Sequence, residues 1–202
     1  MSVSGLGYLG VTATNPDAWR DLATSVFSME IVEKEVAAGF DLRLDDWHHR
    51  LSISPGAQDA IEYVGWEVAN EARLDSLAEK LEVHGVSISL GGSDQLSDRK
   101  VTKLYNFIDP ASGFSSEIFY GPKLEMRPFT PHRGIVGYRT EECGLGHVVY
   151  FVDDYKASVE FYSNVLGFKI SDYIIWDDGE KDVTFFHCNP RPPCRRRRSK
   201  PG

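Results

Sequence analysis

The residues best equipped for chemistry in this chain are its histidines. His147 sits in Gly144-Leu145-Gly146-His147-Val148-Val149-Tyr150-Phe151-Val152. The β-branched and aromatic run from Val148 to Val152 predicts a strand, so His147 should project from the start of one. A lone imidazole there is ordinarily a core or surface residue; a metal centre would use it as one neutral nitrogen ligand. His48 and His49 form a tandem pair. Adjacent strand residues point to opposite faces, so this pair is expected to be a turn feature and not a chelate.

The elements that must hold His147 are readable around it. Asp153 or Asp154 can cap a helix on which Ala157, Phe161 and Val165 recur at four-residue spacing, and Gly167 can end it. The same unit occurs earlier. Displacing the chain on itself so that Tyr8 falls on His147 also lays Gly5-Leu6-Gly7 over Gly144-Leu145-Gly146. Without a gap, Ala18 then meets Ala157, Asp21 meets Glu160, Val26 meets Val165 and Ile31 meets Ile170. Each copy begins strand, helix, strand. A packing requirement should hold in both copies, whereas Tyr8 stands where His147 does; a ligand is needed in only one.

In chain order, the pattern predicts a strand over Leu6 to Ala13 and a helix over Pro16 to Phe27, opened by Asn15 and Pro16. Strands are expected over Glu30 to Ala37, Phe40 to Leu44 and His49 to Ser54. A second unit follows: a strand over Ala60 to Val68, then a helix capped by Asn70 and ended by Gly85, with Leu74, Leu77, Ala78 and Leu81 on one face. Strands over Val86 to Leu90, Val101 to Ile108 and Ser115 to Tyr120 complete it, with Gly91-Gly92 and Asp109-Pro110 as turns. Strands near Phe168 to Ile175 and Val183 to Cys188 belong to a third unit. The expected organisation is α+β: residues 1–122 as a domain of two βαβββ modules, 123–143 as a linker, 144–189 as an incomplete C-terminal domain, and 190–202 as a basic tail.

At 202 residues the chain can bury one good core, or a domain and part of another. A formal charge of −8 argues against a nucleic-acid surface on the main body. The absence of a membrane-length apolar run or signal peptide, and the three scattered cysteines, lead to an expectation of a cytoplasmic protein without a disulfide framework. From Arg191 onward six basic residues and two adjacent prolines stand without an acidic or large apolar residue. Such a segment resists becoming a buried strand and is expected to be a solvated terminus; a basic arm for phosphates is the other reading.

Four motifs together carry a resemblance: Leu6-Gly7-Tyr8-Leu9-Gly10; Phe107-Ile108-Asp109-Pro110 leading to Glu117-Ile118-Phe119-Tyr120-Gly121; Gly144-Leu145-Gly146-His147; and Phe186-His187-Cys188-Asn189-Pro190-Arg191. In this order and spacing the chain resembles the two-domain extradiol ring-cleavage dioxygenases of the vicinal-oxygen-chelate superfamily, of the 2,3-dihydroxybiphenyl 1,2-dioxygenase type, over roughly residues 3 to 191. The resemblance implies the vicinal-oxygen-chelate fold. It also implies a mononuclear Fe(II) held by two His and one Glu, with positions left open for a catechol-type aromatic substrate and dioxygen. His147 matches the first His ligand, and Val149, Trp176 and Phe185 correspond to positions near the distal ring of a bicyclic catechol. The family's catalytic His lies in a His-His pair where this chain has Pro192-Pro193. The other His and the Glu belong to a fourth module without a counterpart here, and the family does not use the His at the position of His187 as a ligand.

These departures lead to the expectation of a truncated or frameshifted dioxygenase that binds Fe(II) poorly and does not turn over alone, and that is a homo-oligomer when intact. The alternative is a non-catalytic module of the same superfamily binding an aromatic compound. A third reading gives the basic tail an interaction role. Neither nucleic acid nor membrane is expected as a partner of the body of the protein.

Overall fold

The structure, a computed structural model, describes residues 3–34, 37–140, 144–175 and 181–189. The first module comprises β1 (Gly5–Ala13), α1 (Pro16–Ser25), β2 (Glu30–Glu33), β3 (Phe40–Arg43) and β4 (Leu51–Pro55). The second comprises β5 (Ala60–Glu67), α2 (Glu71–Val83), β6 (Ile88–Leu90), α3 (Ser93–Arg99), β7 (Val101–Ile108) and β8 (Ser115–Pro122). Both long helices start where the sequence says they should. The Asn15 side chain accepts from the Ala18 amide, and that of Asn70 accepts from the Arg73 amide. Among the differences, α1 stops at Ser25, short of Phe27, β2 ends at Glu33, β4 begins at Leu51 and not at His49, β6 begins at Ile88, and α3 forms directly after the Gly91-Gly92 turn where no helix was expected.

The eight strands make one sheet in the order β2-β3-β4-β1-β5-β8-β7-β6. Antiparallel β1 and β5 pair at its centre, and each carries its own module outward through a parallel partner, β4 and β8 respectively. One face is apolar. Leu6, Val64, Trp66, Phe107 and Ile118 pack there against Leu74, Leu77, Ala78 and Leu81 of α2, the stripe the spacing predicts. Phe40, Leu42 and Ile53 share a smaller cluster with Ala23 and Trp19 of α1.

The opposite face carries Tyr8, Tyr63, Leu104 and Phe119. The pairing register of β1 with β5 shifts between Leu6 and Tyr8. One extra residue, Gly7, makes a bulge that turns Leu6 and Tyr8 to different faces despite their even spacing. Across from Tyr8 stands Gly65, where a Cβ would come within 2.3 Å of the Tyr8 ring. Only glycine leaves the ring its place.

The third module packs onto the same core. Phe161, Tyr162, Val165, Leu166 and Phe168 join the cluster around α2. The Trp66 and Phe168 rings meet edge-on at 5.2 Å, and Lys80 Nζ donates to the Asn164 carbonyl at 2.5 Å. Asp154 is the residue that caps α4 (Tyr155–Glu160), which continues into a π-helical turn over Phe161–Val165. Its buried residues are Ser158, Phe161, Tyr162 and Val165, whereas Ala157 is exposed. These four recur at the ordinary i, i+3, i+4, i+7 helical spacing, and Ala157 lies about 90° from the centre of that stripe at 100° per residue. β9 (Lys169–Ile175) and β10 (Lys181–His187) form a separate antiparallel ribbon. The strand expected over Val148–Val152 is not formed. β1 has ladders to β4 and β5, while its counterpart in the third module has no ladder partner among the described residues.

Candidate functional site

Where His147 stands follows from the turn before it. Gly144 has φ +64°, and a Cβ there would meet the Leu6 carbonyl oxygen at 2.6 Å. This glycine lets the chain close onto β1, where the Leu145 amide donates to the Leu6 carbonyl at 2.9 Å. Leu6 and Leu145 are equivalent residues of the two repeat copies, so the copies meet at their matching positions. Beyond the turn, burial alternates from residue to residue. Val148 and Tyr150 pack on the core, while His147, Val149 and Phe151 are exposed. His147 and Val149 therefore share the outward face, Val149 with 65% of its surface open. On β10, Phe186 turns inward to the rings of Tyr162 and Phe168, and Phe185 is 45% exposed. Trp176, Pro192 and Pro193 lie outside the described residues. His187 bonds Ser171 Oγ through Nδ1 at 2.6 Å. Cys188 is buried, and burial pushes its thiol up to about 11.

A second concentration of functional groups lies on the polar face of the large sheet, and α3 supplies part of it. Glu117 of β8 is buried and accepts from Tyr8 Oη at 2.5 Å, Gln95 Nε2 at 2.9 Å and Arg99 Nε at 3.1 Å. The Arg99 guanidinium lies 3.5 Å above the Tyr63 ring. Burial, then the Glu117 carboxylate, holds the Tyr8 phenol well above its ordinary range, so it remains a proton donor. Burial works against the Arg99 charge, but Tyr63 and Glu117 outweigh it and raise Arg99 further. The Tyr8 position, equivalent to His147 in the repeat, is thus built into a structural ion-pair network. The sequence distinguished the two copies but gave no sign of the partners, which arrive from α3 and β8.

Beside this network lie Asp41 of β3 and the pair His48 and His49. The two Nδ1 atoms are 3.1 Å apart. Asp41 Oδ2 is 3.6 Å from His49 Nδ1 and 3.9 Å from His48 Nδ1. The pair lies in a turn-like segment as expected, but its nitrogens converge with Asp41, which corrects the expectation that the two could not chelate together. Strand alternation does not apply, because β4 begins only at Leu51 and both histidines lie in the irregular segment after β3. Burial lowers the His48 imidazole, opposed by Glu125, and lowers that of His49 to about 3. Burial raises the Asp41 carboxyl to about 6, against the pull of the Lys34 ammonium. Among the described residues this is the one cluster of three metal-ligating groups; His147 is not in it. The residues described around His147 do not by themselves fit a three-ligand iron centre.

Comparison with known proteins places this geometry in a family. The Glyoxalase/Bleomycin resistance protein/Dioxygenase superfamily profile matches residues 144–192, and the profile for the first domain of dihydroxybiphenyl dioxygenase BphC matches residues 6–56. The chain is 36% identical over 196 residues to a biphenyl-2,3-diol 1,2-dioxygenase of Sphingomonas paucimobilis, covering 95% of this chain and 65% of that protein. It is 38% identical over 200 residues to an iron-dependent extradiol dioxygenase of Rhodococcus jostii, covering 95% and 66%. It therefore spans about two thirds of the length of these relatives. A crystal structure of a catechol 2,3-dioxygenase superposes with a TM-score of 0.85 at 35% identity, over 93% of this chain and 67% of that one. The chain belongs to the extradiol ring-cleavage dioxygenases of the vicinal-oxygen-chelate superfamily.

Proposed function

We propose that this chain carries part of an Fe(II)-dependent extradiol dioxygenase that opens catechols of the 2,3-dihydroxybiphenyl type. In this reading His147 supplies one imidazole ligand, and Val149, Phe185 and Trp176 face the distal ring of the substrate. The division at residues 122 and 144 separates a scaffolding pair of modules from the metal-binding half. What carries the reading is the family relationship combined with the outward display of His147 and Val149 on one face. Apolar side chains held clear of the core suit the aromatic ring of a bicyclic catechol.

One imidazole is too few. Loss of ligands removes both the affinity and the geometry of a metal site, and His147 belongs to no group of three ligands among the described residues. The 202-residue chain alone should therefore hold far less than stoichiometric iron at His147, so that His147→Ala leaves its iron content unchanged, and it should not take up oxygen with biphenyl-2,3-diol. Iron analysis and oxygen-electrode measurements on the purified chain test this. Joining a relative's C-terminal portion after Arg191 should restore turnover, and His147→Ala in that protein should abolish it. Turnover by the short chain that survives His147→Ala would overturn the assignment. Stoichiometric binding of an aromatic diol without oxygen uptake, in the restored protein as well, would favour a non-catalytic binding module.

A further inference from the structure

The three atoms His48 Nδ1, His49 Nδ1 and Asp41 Oδ2 form a triangle with sides of 3.1, 3.6 and 3.9 Å. Three such points lie on a circle of radius about 2.1 Å, which is the zinc–nitrogen and zinc–carboxylate bond length. A four-coordinate cation would stand out of that plane with its ligand atoms about 3.4 Å apart, so they would need to shift by no more than about half an ångström. We propose that Asp41, His48 and His49 form a binding site for a divalent transition-metal ion of the zinc type within the N-terminal sheet.

Four further observations point the same way. First, the ligand set is chemically coherent: two imidazole nitrogens and one carboxylate oxygen suit borderline cations such as Zn2+ and Co2+ over Mg2+ or Ca2+. Second, Asp41 is only 2% exposed, and the oxygen that meets the histidines is Oδ2, whereas its ammonium neighbour approaches the other oxygen, Oδ1. The nearest cation, Lys34 Nζ, is 3.7 Å from Oδ1 and is itself held by Asp98 at 2.9 Å. Third, the other ring nitrogen of His48, Nε2, faces the Glu125 carboxylate at 3.9 Å. A carboxylate on that side favours the proton at Nε2 and leaves Nδ1 free to ligate, the arrangement common behind metal-bound histidines. Fourth, a cavity of about 10 Å3 adjoins the pair, lined by His48 and His49 and by the cationic Arg99, Lys100 and Lys123 among others. That is room for about one water, the fourth ligand a three-residue site requires.

The segment bearing the histidines is already fixed in place. The His48 amide donates to the Lys123 carbonyl at 3.0 Å, and the Arg50 amide to the Leu42 carbonyl at 2.9 Å. Asp45 accepts from the Trp47 amide at 3.0 Å and pairs with Arg50 at 2.7 Å. Little conformational entropy remains to be lost on binding. A bound ion would tie the segment between β3 and β4 to the sheet.

The test uses the full chain, stripped with a chelator and titrated with Co2+ and, separately, Zn2+. The expected results are one Co2+ per chain with visible ligand-field absorption, displacement of that absorption by Zn2+, and a rise in melting temperature with Zn2+. His48→Ala, whose side chain is partly open, should weaken binding by at least about 100-fold while leaving the circular dichroism spectrum unchanged. Asp41→Asn should do the same, and His147→Ala should leave binding intact. The proposal is overturned if the chain takes up no Co2+, if binding persists in both His48→Ala and Asp41→Asn, or if His147→Ala removes it.

Discussion

Replacing Arg99 by Met should destabilise the protein by about 3 kcal/mol, because the substitution strands a buried carboxylate. The Arg99 and Glu117 side chains are 14% and 2% exposed, and their closest approach is 3.0 Å. Removing one partner of such a pair costs about 3–5 kcal/mol. The lower end applies here, since Tyr8 Oη and Gln95 Nε2 still donate to Glu117 in the variant. Lost stacking on Tyr63 adds about 1 kcal/mol, partly offset by the apolar Met stem. Against a total of about 5–15 kcal/mol, this shifts the urea midpoint by about 1–2 M at ordinary slopes. Tryptophan fluorescence during urea unfolding reads it, with Glu117→Gln and the double variant completing a thermodynamic cycle. The double variant should be less destabilised than the two singles added, with a coupling above about 1 kcal/mol. A cost for Arg99→Met under about 1 kcal/mol, or strictly additive singles, would show that Glu117 does not depend on this guanidinium.

Two other outcomes follow from the same geometry, alongside the iron and zinc tests above. Burial opposes ionisation of Glu30, but the Thr130 amide, Arg127 and Arg43 outweigh it and hold its carboxyl below the ordinary 4.5. Its contribution is therefore complete above that value and is lost as pH falls through the lower, folded value. Glu30→Gln should cost about 3 kcal/mol near neutrality and flatten the acid limb of the melting-temperature profile; an unchanged acid limb would refute the assignment. Gly144→Ala forces a side chain into left-handed backbone against the Leu6 carbonyl and should cost about 2 kcal/mol. Urea unfolding checks this too, and a change below about 0.5 kcal/mol would mean that the turn rearranges freely.

Much of the fold was present in local pattern. Asn15 and Asn70 as caps, the stripe Leu74, Leu77, Ala78 and Leu81, and the repeat that overlays Gly5-Leu6-Gly7 on Gly144-Leu145-Gly146 all rest on interactions within a few residues or on self-similarity. These are what a one-dimensional string records well. The family relationship was legible for the same reason, through short motifs in a set order.

Tertiary structure alone decided the rest. The run Val148–Val152 has every local mark of a strand, but a strand exists only by pairing, and no described segment pairs with it. Ala157 matches the four-residue spacing but is exposed, because the buried stripe is centred on Ser158, Phe161, Tyr162 and Val165. The Glu117 network of β8 draws Tyr8 from β1 and Gln95 and Arg99 from α3. His48 and His49 converge on Asp41 because they lie outside the strand whose alternation would have separated them. The sequence determined which groups were available for chemistry. Which of them face one another depended on backbone irregularities, a bulge at Gly7 and a bend before β4, that carry no period to read.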